Sequence, residues 1–242
     1  MTRRRADALL VERGLADSRE RARALILAGE VWSGEQRVAK AGQLLPLDAP
    51  LSVAQPPPYV SRGGLKLEHA LSEFRLDASG MVALDVGAST GGFTDCLLKR
   101  GATRVYALDV GYGQIDLRLR SDPRVVVIER LNARYPFALP EIAGLATVDV
   151  SFISVEKVLP SISAVLHAHA PTVVLLKPQF EAGRREVGKG GLVRDPQVHA
   201  RVLGRFIAWA VHHRFRVRGL VPSPILGASG NREFFVLLEK RA

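Results

Sequence analysis

Residues 84–94 read LDVGASTGGFT, and this stretch decides the fold of the chain. It completes the apolar run VALDV (82–86), which is typical of a buried parallel strand, and it leads into a helical pattern over 92–99. The glycines between strand and helix form a tight turn whose backbone can approach a ligand closely. This order of elements predicts the first β-α unit of an α/β domain, with a nucleotide site at the turn.

Strands and helices alternate on both sides of this turn. Besides VALDV, the predicted strands are RVYALDV (104–110), RVVVIE (124–129), LATVDVSF (145–152), TVVLLK (172–177), RVRGLV (216–221) and REFFVLLE (232–239). The predicted helices cover 66–74, 92–99, 155–166 and 197–212. We therefore expect a Rossmann-like α/β domain with a mixed, mostly parallel seven-stranded sheet, in which the last two strands are antiparallel.

The first 54 residues follow a different pattern. Asp17 and Glu20 have the spacing of a capping box before the helical stretch SRERARALILAG (18–29), which Gly29 can end. An earlier short helix ends near Gly14, residues 31–38 read as a strand pair, and residues 51–53 as another strand. We predict a small α+β domain over 1–54, a Pro-rich linker over 55–60 and the α/β domain over 61–242.

A glycine turn after a strand occurs in three kinds of nucleotide site. A dinucleotide fingerprint needs a second glycine where Ser89 stands, and a phosphate-binding P-loop needs a lysine where Phe93 stands. A nucleoside ligand without phosphates needs neither residue, and Asp109 ends the next strand, where a carboxylate can bind ribose hydroxyls. S-adenosylmethionine meets these requirements. The alternative is a Gly-rich turn that binds nothing.

The charge of the chain favours a polyanionic partner. The formal net charge is +10 and the isoelectric point is near 10.3, so nucleic acid is the first candidate and an anionic membrane the second. The most apolar stretch, residues 158–176, contains two prolines and two histidines, so we expect no membrane span. A single cysteine and the lack of a secretory signal pattern favour the cytoplasm. The histidine spacings do not suit a metal site.

Polar residues stand at or near the ends of three predicted strands: Asp109, Asp149 and Lys177. Ligands of open α/β sheets bind at these carboxyl ends. Each residue also has a purely structural explanation. Asp149 can cap a turn and Lys177 can end a buried strand, just as Lys66 can lie on an exposed helix face and Glu233 on the outer side of a strand.

Lys66, Asp149, Lys177 and Glu233, in this order, resemble the Lys-Asp-Lys-Glu tetrad of FtsJ-like ribose 2′-O-methyltransferases. The surrounding segments resemble the TlyA family, often labelled hemolysin, in which an S4 RNA-binding domain precedes such a methyltransferase. They are YVSRGGLKL (59–67), LDVGASTGGFTD (84–95), DVGYGQ (109–114), ERLNAR (129–134), DVSFIS (149–154), LLKPQFE (175–181), GGLVRD (190–195) and SGNREFF (229–235). Residues 5–38 are similar to an S4 domain.

The resemblance implies methyl transfer from S-adenosylmethionine to the 2′-hydroxyl of a cytidine in large-subunit ribosomal RNA, with small-subunit RNA as a second target. We hypothesise that Lys177 is the general base, oriented by Asp149, and that Glu233 positions Lys66, which stabilises the developing oxyanion. The implied cofactor-binding residues are Gly87, Ser89, Thr90, Gly91, Gly92, Phe93, Asp109, Asn132 and Asp149. For Asn132, a capping role in its turn is an equal alternative.

The loop over 181–197 is basic and Gly-rich, and we expect it to close over RNA beside Lys177, although a plain solvated loop is the alternative. The predicted RNA-binding residues are Arg4, Arg5, Ser18, Arg19, Arg62, Arg184, Arg185 and Lys189. Ribosomal RNA or a ribosomal subunit is the expected partner, and no obligate protein partner is indicated. Two other functions remain open: a ribosome-assembly factor with an inactive methyltransferase domain, and a cytolysin, which the lack of a membrane span disfavours.

Overall fold

The computed structural model describes residues 2–54 and 57–241, and the chain divides into two compact units between Pro57 and Pro58. The first unit contains two helices and two small antiparallel sheets. The helices are α1 (Ala6–Glu12) and α2 (Arg19–Ala28), and the strands are β1 (Arg3–Arg5), β2 (Val31–Ser33), β3 (Gln36–Arg37), β4 (Leu44–Pro46) and β5 (Leu51–Val53). β1 pairs with β4, and β2 lies between β3 and β5.

Helix α2 packs its apolar side, including Leu25 and Ile26, into the small core of this unit. The helix begins one residue later than the predicted capping box implies, because Oγ of Ser18 accepts a hydrogen bond from the backbone N–H of Arg21 at 3.1 Å. The pairing of Asp17 with Glu20 as a capping box is therefore wrong. The end at Gly29 is as predicted, with a left-handed φ of 74°.

The second unit is an α/β domain. Its helices are α3 (Arg62–Glu73), α4 (Gly92–Lys99), α5 (Leu117–Arg120), α6 (Leu159–Ala164), α7 (Pro178–Glu181) and α8 (Pro196–His212). Its strands are β6 (Val82–Val86), β7 (Arg104–Leu108), β8 (Val125–Ile128), β9 (Leu145–Val148), β10 (Pro171–Leu176), β11 (Phe215–Pro222) and β12 (Phe234–Lys240).

The seven strands form one sheet in the order β11-β12-β10-β9-β6-β7-β8. Strands β6 to β10 are parallel to one another, whereas β12 runs antiparallel to both β10 and β11. The predicted mixed, mostly parallel sheet is confirmed. One buried cluster covers a face of the sheet with Leu159 of α6 and Phe206 of α8, and another covers the opposite face with Leu67 of α3 and Leu97 of α4.

Two helices of this unit differ by several residues from their predicted bounds. Helix α3 begins at Arg62 rather than at residue 66, and the helix predicted over 155–166 is divided into a 3-10 turn at Val155–Lys157 and the short α6. The division coincides with Pro160, which has no N–H to donate to a preceding carbonyl. In addition, Tyr59 and Val60 of the predicted linker pack against the core beside α3 and α4.

The strand order positions a ligand site. β6 pairs with β7 on one side and with β9 on the other, so the direction in which the chain adds strands reverses at β6. In open α/β sheets such a reversal leaves a crevice outside the carboxyl ends of the strands. The turn after β6 and the segments that follow β7, β9 and β10 all end at this crevice.

Candidate active site

The turn after β6 lies against the end of β9. Gly87 has a φ of 85°, and a Cβ atom there would lie 2.4 Å from the carbonyl oxygen of Asp149. Only glycine fits this position, because a side chain would strain the backbone of residue 87 and collide with the carbonyl group of Asp149. At Gly92, the first residue of α4, a Cβ atom would lie 2.2 Å from Oγ of Ser61. The glycines thus allow three segments of chain to meet at the crevice.

Asp109 links this turn to the end of β7. Its Oδ2 accepts a hydrogen bond from the backbone N–H of Ser89 at 2.8 Å, and its Oδ1 accepts one from Gly111 at 2.7 Å. An ionised carboxylate has about four lone-pair directions, so two such bonds leave acceptor capacity for a ligand hydroxyl. The predicted ribose-binding residue therefore lies directly beside the predicted glycine turn.

A cavity of about 760 Å³ extends from Asp109 between the ends of β7 and β9. Its walls include the apolar side chains of Leu131, Val150 and Ile153. Asn132 also lines it, while Oδ1 of Asn132 accepts a hydrogen bond from the N–H of Arg134 at 3.0 Å, the geometry of the alternative turn role. A concave site with apolar walls and a few polar groups suits a nucleoside.

A second cavity, of about 420 Å³, adjoins the first. Both cavities are lined by Gly87, Ser89, Asp149, Ser151, Phe152 and Phe180. The smaller one is also lined by all the other residues of the predicted tetrad, Lys66, Lys177 and Glu233, and by the predicted cofactor residues Thr90, Gly92 and Phe93. Arg62, from the predicted RNA-binding set, is exposed at its rim.

Lys66 and Glu233 form an ion pair inside the smaller cavity. The Nζ atom of Lys66 donates a hydrogen bond to Oε2 of Glu233 over 2.6 Å, and the two side chains are only 11% and 3% exposed. Desolvation makes such a pair costly, so its burial beside a cavity is a feature typical of functional sites. Gly227 leaves the space that Glu233 occupies, since a Cβ atom there would lie 2.3 Å from Oε1.

Lys177 and Asp149 form the second pair, at the ends of β10 and β9. Nζ of Lys177 lies 2.6 Å from Oδ1 of Asp149 and donates a hydrogen bond to Oγ of Ser151 over 2.9 Å. The backbone N–H of Asp149 also bonds the carbonyl of Val86 at 2.9 Å, which fixes it beside the glycine turn. Each lysine of the predicted tetrad thus contacts one carboxylate of the tetrad.

Asp85, which was not predicted, is a fully buried carboxylate beneath the turn. Its oxygens accept hydrogen bonds from the hydroxyls of Thr94 at 2.7 Å and Thr147 at 3.0 Å. Burial raises the pKa of Asp85 to about 7, because the interior disfavours the charged form. An acidic residue within an otherwise apolar strand was the available signal for this site.

Phe152, also not predicted, lies exposed where the two cavities meet. Its side chain is 92% exposed, and its ring centroid lies 5.0 Å from that of Phe180. Its φ of 63° is a conformation that a bulky side chain rarely adopts. Backbone strain and a large exposed aromatic side chain at the same residue point to a ligand contact. The strand predicted over 145–152 concealed it, since β9 ends at Val148.

The predicted RNA-binding loop has a fixed base and an exposed basic segment. Arg184, Arg185 and Lys189 are exposed. Near the end of the loop, buried Asn231 accepts a hydrogen bond from the N–H of Val193 and donates one to the carbonyl of Gly191, both at 2.9 Å. The loop is thereby joined to the segment that carries Glu233, two residues further on.

In the first unit, the predicted RNA-binding residues have different surroundings. Arg5 and Arg19 both contact Asp7, whereas Arg4 forms an exposed ion pair with Glu12. Ser18 uses its hydroxyl to cap α2. The structure therefore brings Arg5 and Arg19 together and gives Ser18 a local role in the helix.

Across residues 2–54 and 57–241, no group of three or more His, Cys, Asp or Glu side chains has the arrangement of a metal site. Within the same residues, no helix combines the length and the apolar character that crossing a bilayer requires.

Two family models match the chain. The model described as FtsJ-like methyltransferase covers residues 59–240, and the S4 domain model covers residues 4–49. The 16S/23S rRNA (cytidine-2′-O)-methyltransferase TlyA of Mycobacterium tuberculosis is 45% identical over 98% of this chain and 90% of its own length. The chain belongs to the TlyA family of FtsJ-like methyltransferases.

Two further proteins are similar to nearly the whole of this chain. YqxC of Bacillus subtilis is 50% identical over 97% of this chain and 85% of its own length. The solved structure of a protein named as a hemolysin, from Streptococcus thermophilus, is 42% identical and has a TM-score of 0.75, with coverage of 100% of this chain and 90% of that one. Similarity over both units confirms that an S4 domain precedes the methyltransferase domain.

Proposed function

We propose that this TlyA-family protein transfers the methyl group of S-adenosylmethionine to the ribose 2′-hydroxyl of a cytidine in ribosomal RNA, in the cytoplasm. Large-subunit RNA is the first proposed substrate and small-subunit RNA the second. The observation that carries the proposal is the pair of lysine–carboxylate contacts in one cavity, joined at Asp149 to a nucleoside-sized cavity. The name of the Mycobacterium tuberculosis relative agrees with this choice.

The residues around the larger cavity fit the cofactor. Asp109 has acceptor capacity for ribose hydroxyls, Leu131 and Ile153 supply apolar surface for a base, and the glycine turn offers backbone groups to the amino-acid end. The carboxylate of Asp149, where the cavities join, is suited to face a positively charged sulfur. When bound, S-adenosylmethionine supplies an electrophilic methyl group to the adjoining cavity.

Lys177 is the proposed general base. In its neutral form, its Nζ atom accepts the proton of the 2′-hydroxyl and leaves an oxygen able to attack a methyl carbon. Asp149 and Ser151 hold this nitrogen at 2.6 Å and 2.9 Å. The ammonium of Lys66, fixed by Glu233, stabilises the negative charge that develops on the same oxygen. Each carboxylate therefore positions the lysine that it contacts.

Phe152 is the proposed platform for the acceptor base. An exposed aromatic ring can stack on a nucleobase, which contributes roughly 1–3 kcal/mol per base. The ring lies beside Lys177 and Asp149, on the rim shared by both cavities. A nucleotide turned out of its helix would thus stack on Phe152 while its ribose enters the smaller cavity.

The basic loop and the S4 domain are proposed to hold the ribosomal RNA. Arg184, Arg185 and Lys189 are exposed and can reach phosphates near the acceptor nucleotide. Residues 4–49 match the S4 domain, and the family resemblance implies that this domain binds RNA. Arg5 and Arg19 lie within it. The overall charge of +10 favours the same partner.

The test is methyl transfer to isolated ribosomal subunits. Purified protein and radiolabelled S-adenosylmethionine are incubated separately with large and small subunits that lack the modification, and label in the RNA is counted. We expect label in large-subunit RNA at a rate above that of a Lys66→Ala, Lys177→Ala double variant. Cofactor binding without label in either subunit would contradict the proposal and favour an RNA-binding assembly factor.

A further inference from the structure

A buried carboxylate in the S4 domain holds three arginines together. The side chain of Asp7 is 0% exposed. Arg5 donates two hydrogen bonds to it, from Nε to Oδ1 and from Nη2 to Oδ2, each at 3.0 Å. Nη2 of Arg19 and Nε of Arg23 each lie 3.3 Å from Oδ2. One negative charge is therefore surrounded by three positive charges.

The three guanidinium groups keep most of their donors free. Their side chains are 47%, 54% and 59% exposed, and within residues 2–54 their only hydrogen-bond acceptor is Asp7. A guanidinium carries five N–H donors in a planar fork that matches the oxygens of a phosphate. The cluster thus presents free donors and an excess of two positive charges to solvent.

We propose that Asp7 is a positioning residue that assembles Arg5, Arg19 and Arg23 into a binding site for a phosphate of the RNA backbone. The inference rests on the proposed function, and it adds Arg23 and Asp7 to the RNA-binding machinery. Arg19 and Arg23 are one turn apart on α2, while Arg5 comes from β1. Without the carboxylate, three like charges this close would separate.

Asp7 also lowers the cost of ordering the site. An arginine that is free in solution loses rotamer freedom when it binds, at about 0.5–1.5 kcal/mol per side chain. The hydrogen bonds to Asp7 restrict the arginines before RNA arrives. The guanidinium of Arg5 holds the pKa of Asp7 well below its usual range, so the carboxylate stays charged at any working pH.

Asp7→Asn should change RNA affinity in the direction opposite to the one expected from net charge. Asp7→Asn makes the protein more positive, which alone would tighten RNA binding. We expect the substitution instead to weaken binding of the full chain to a large-subunit rRNA transcript by about fivefold, comparable to the cost of ordering one arginine side chain. The matched control is Asp17→Asn, which makes the same charge change at an exposed residue of the same domain and should leave affinity unchanged or slightly higher.

A second pair of variants keeps the test valid if Asp7→Asn does not fold, as judged by thermal unfolding. Arg23→Ala and Arg21→Ala remove the same charge from exposed positions of the same helix, but Arg21 lies on the other side of α2 from the cluster. Arg23→Ala should weaken binding at least about threefold more than Arg21→Ala and lower the salt slope by about 1.

Three results would be decisive. Folded Asp7→Asn protein that binds RNA as tightly as Asp17→Asn protein would overturn the inference, as would equal affinities for the two arginine variants. Failure of the wild-type chain to bind ribosomal RNA would contradict the proposed function instead. Thermal unfolding and cofactor binding, measured on every variant, show that the methyltransferase domain is intact.

Discussion

Nζ of Lys66 lies 2.6 Å from Oε2 of Glu233, although 167 positions of sequence separate the two residues. The contact joins α3 to the residue that precedes β12, so an ion pair in the lining of the smaller cavity links the first and last elements of the methyltransferase domain. A buried ion pair adds little net stability, because the desolvation of the two charges offsets their attraction. Removing one partner is strongly destabilising, because it leaves the other charge buried without compensation. The loss in free energy of unfolding when one partner is removed therefore tests the role of the pair.

Glu233→Ala should lower the free energy of unfolding by about 3 kcal/mol, because it leaves the Lys66 ammonium buried without a partner. The control is Glu239→Ala on β12, the strand that follows Glu233. There the carboxylate pairs with exposed Arg218 and His169, and the loss should be at most about 1 kcal/mol. Urea denaturation measures both. Equal losses in the two variants would show that the buried pair has no special energetic role.

The raised pKa of Asp85 predicts an unusual dependence of the free energy of unfolding on pH. Its folded-state pKa of about 7 lies above the ordinary value of 3.8, so its contribution to stability is fully present below pH 4 and is lost as the pH rises to 7. We expect wild type to lose about 4 kcal/mol relative to Asp85→Asn over this range, since about three pKa units separate the two states. Parallel stability profiles for the two proteins between pH 4 and 8 would show that Asp85 is not perturbed.

Phe152 should show a conflict between stability and activity. The left-handed backbone at residue 152 costs roughly 1 kcal/mol for a residue other than glycine, and the exposed ring contributes little burial. Phe152→Gly should therefore have a higher free energy of unfolding than Phe152→Ala. Both variants should raise the KM for RNA about tenfold or more through lost base stacking. Thermal unfolding and steady-state methyl transfer measure the two effects. An unchanged KM in both variants would remove Phe152 from the acceptor site.

Neutralising Arg184, Arg185 and Lys189 together should weaken RNA binding. The slope of log affinity against log salt concentration should become less steep by roughly one for each lost phosphate contact. A control with the same charge change replaces Arg118, Arg120 and Arg124, which already pair with acids of their own surroundings. Affinity is measured by filter binding from 50 to 200 mM salt. If the two triple variants behave alike, the loop contributes only general charge.

The sequence allowed the fold to be predicted because the β-α alternation and the glycine turn are local patterns. The smaller elements were missed for local reasons as well. β1 consists of three arginines and β4 ends in proline, so neither shows the alternation of a strand. The division of the helix predicted over 155–166 depends on Pro160, whose effect the apolar periodicity does not reveal.

The candidate site was predictable only in part. Asp109 and the glycine turn follow from strand ends, whereas Lys66 and Glu233 became candidates through a family resemblance, since each alone suits an exposed helix or strand. Phe152 and Asp7 gave no signal, because exposure in a left-handed turn and burial among three arginines are properties of the folded chain. The partners of a long-range ion pair likewise depend on tertiary structure.

The proposed activity is defined by the atom to which the methyl group is attached and by the nitrogen that accepts the proton. In the most direct measurement, ribosomal RNA is methylated in single-turnover reactions with wild type, Lys177→Arg and Lys66→Arg, and the three rates are compared. The RNA is then digested to nucleosides, and the methylated product is identified by mass spectrometry. Arginine keeps the positive charge but cannot be deprotonated in a protein, so it cannot replace a base. We expect 2′-O-methylcytidine from wild type, a rate at least about 100-fold lower for Lys177→Arg, and a smaller loss for Lys66→Arg. A methyl group on a base, or a Lys177→Arg rate close to wild type, would contradict the account.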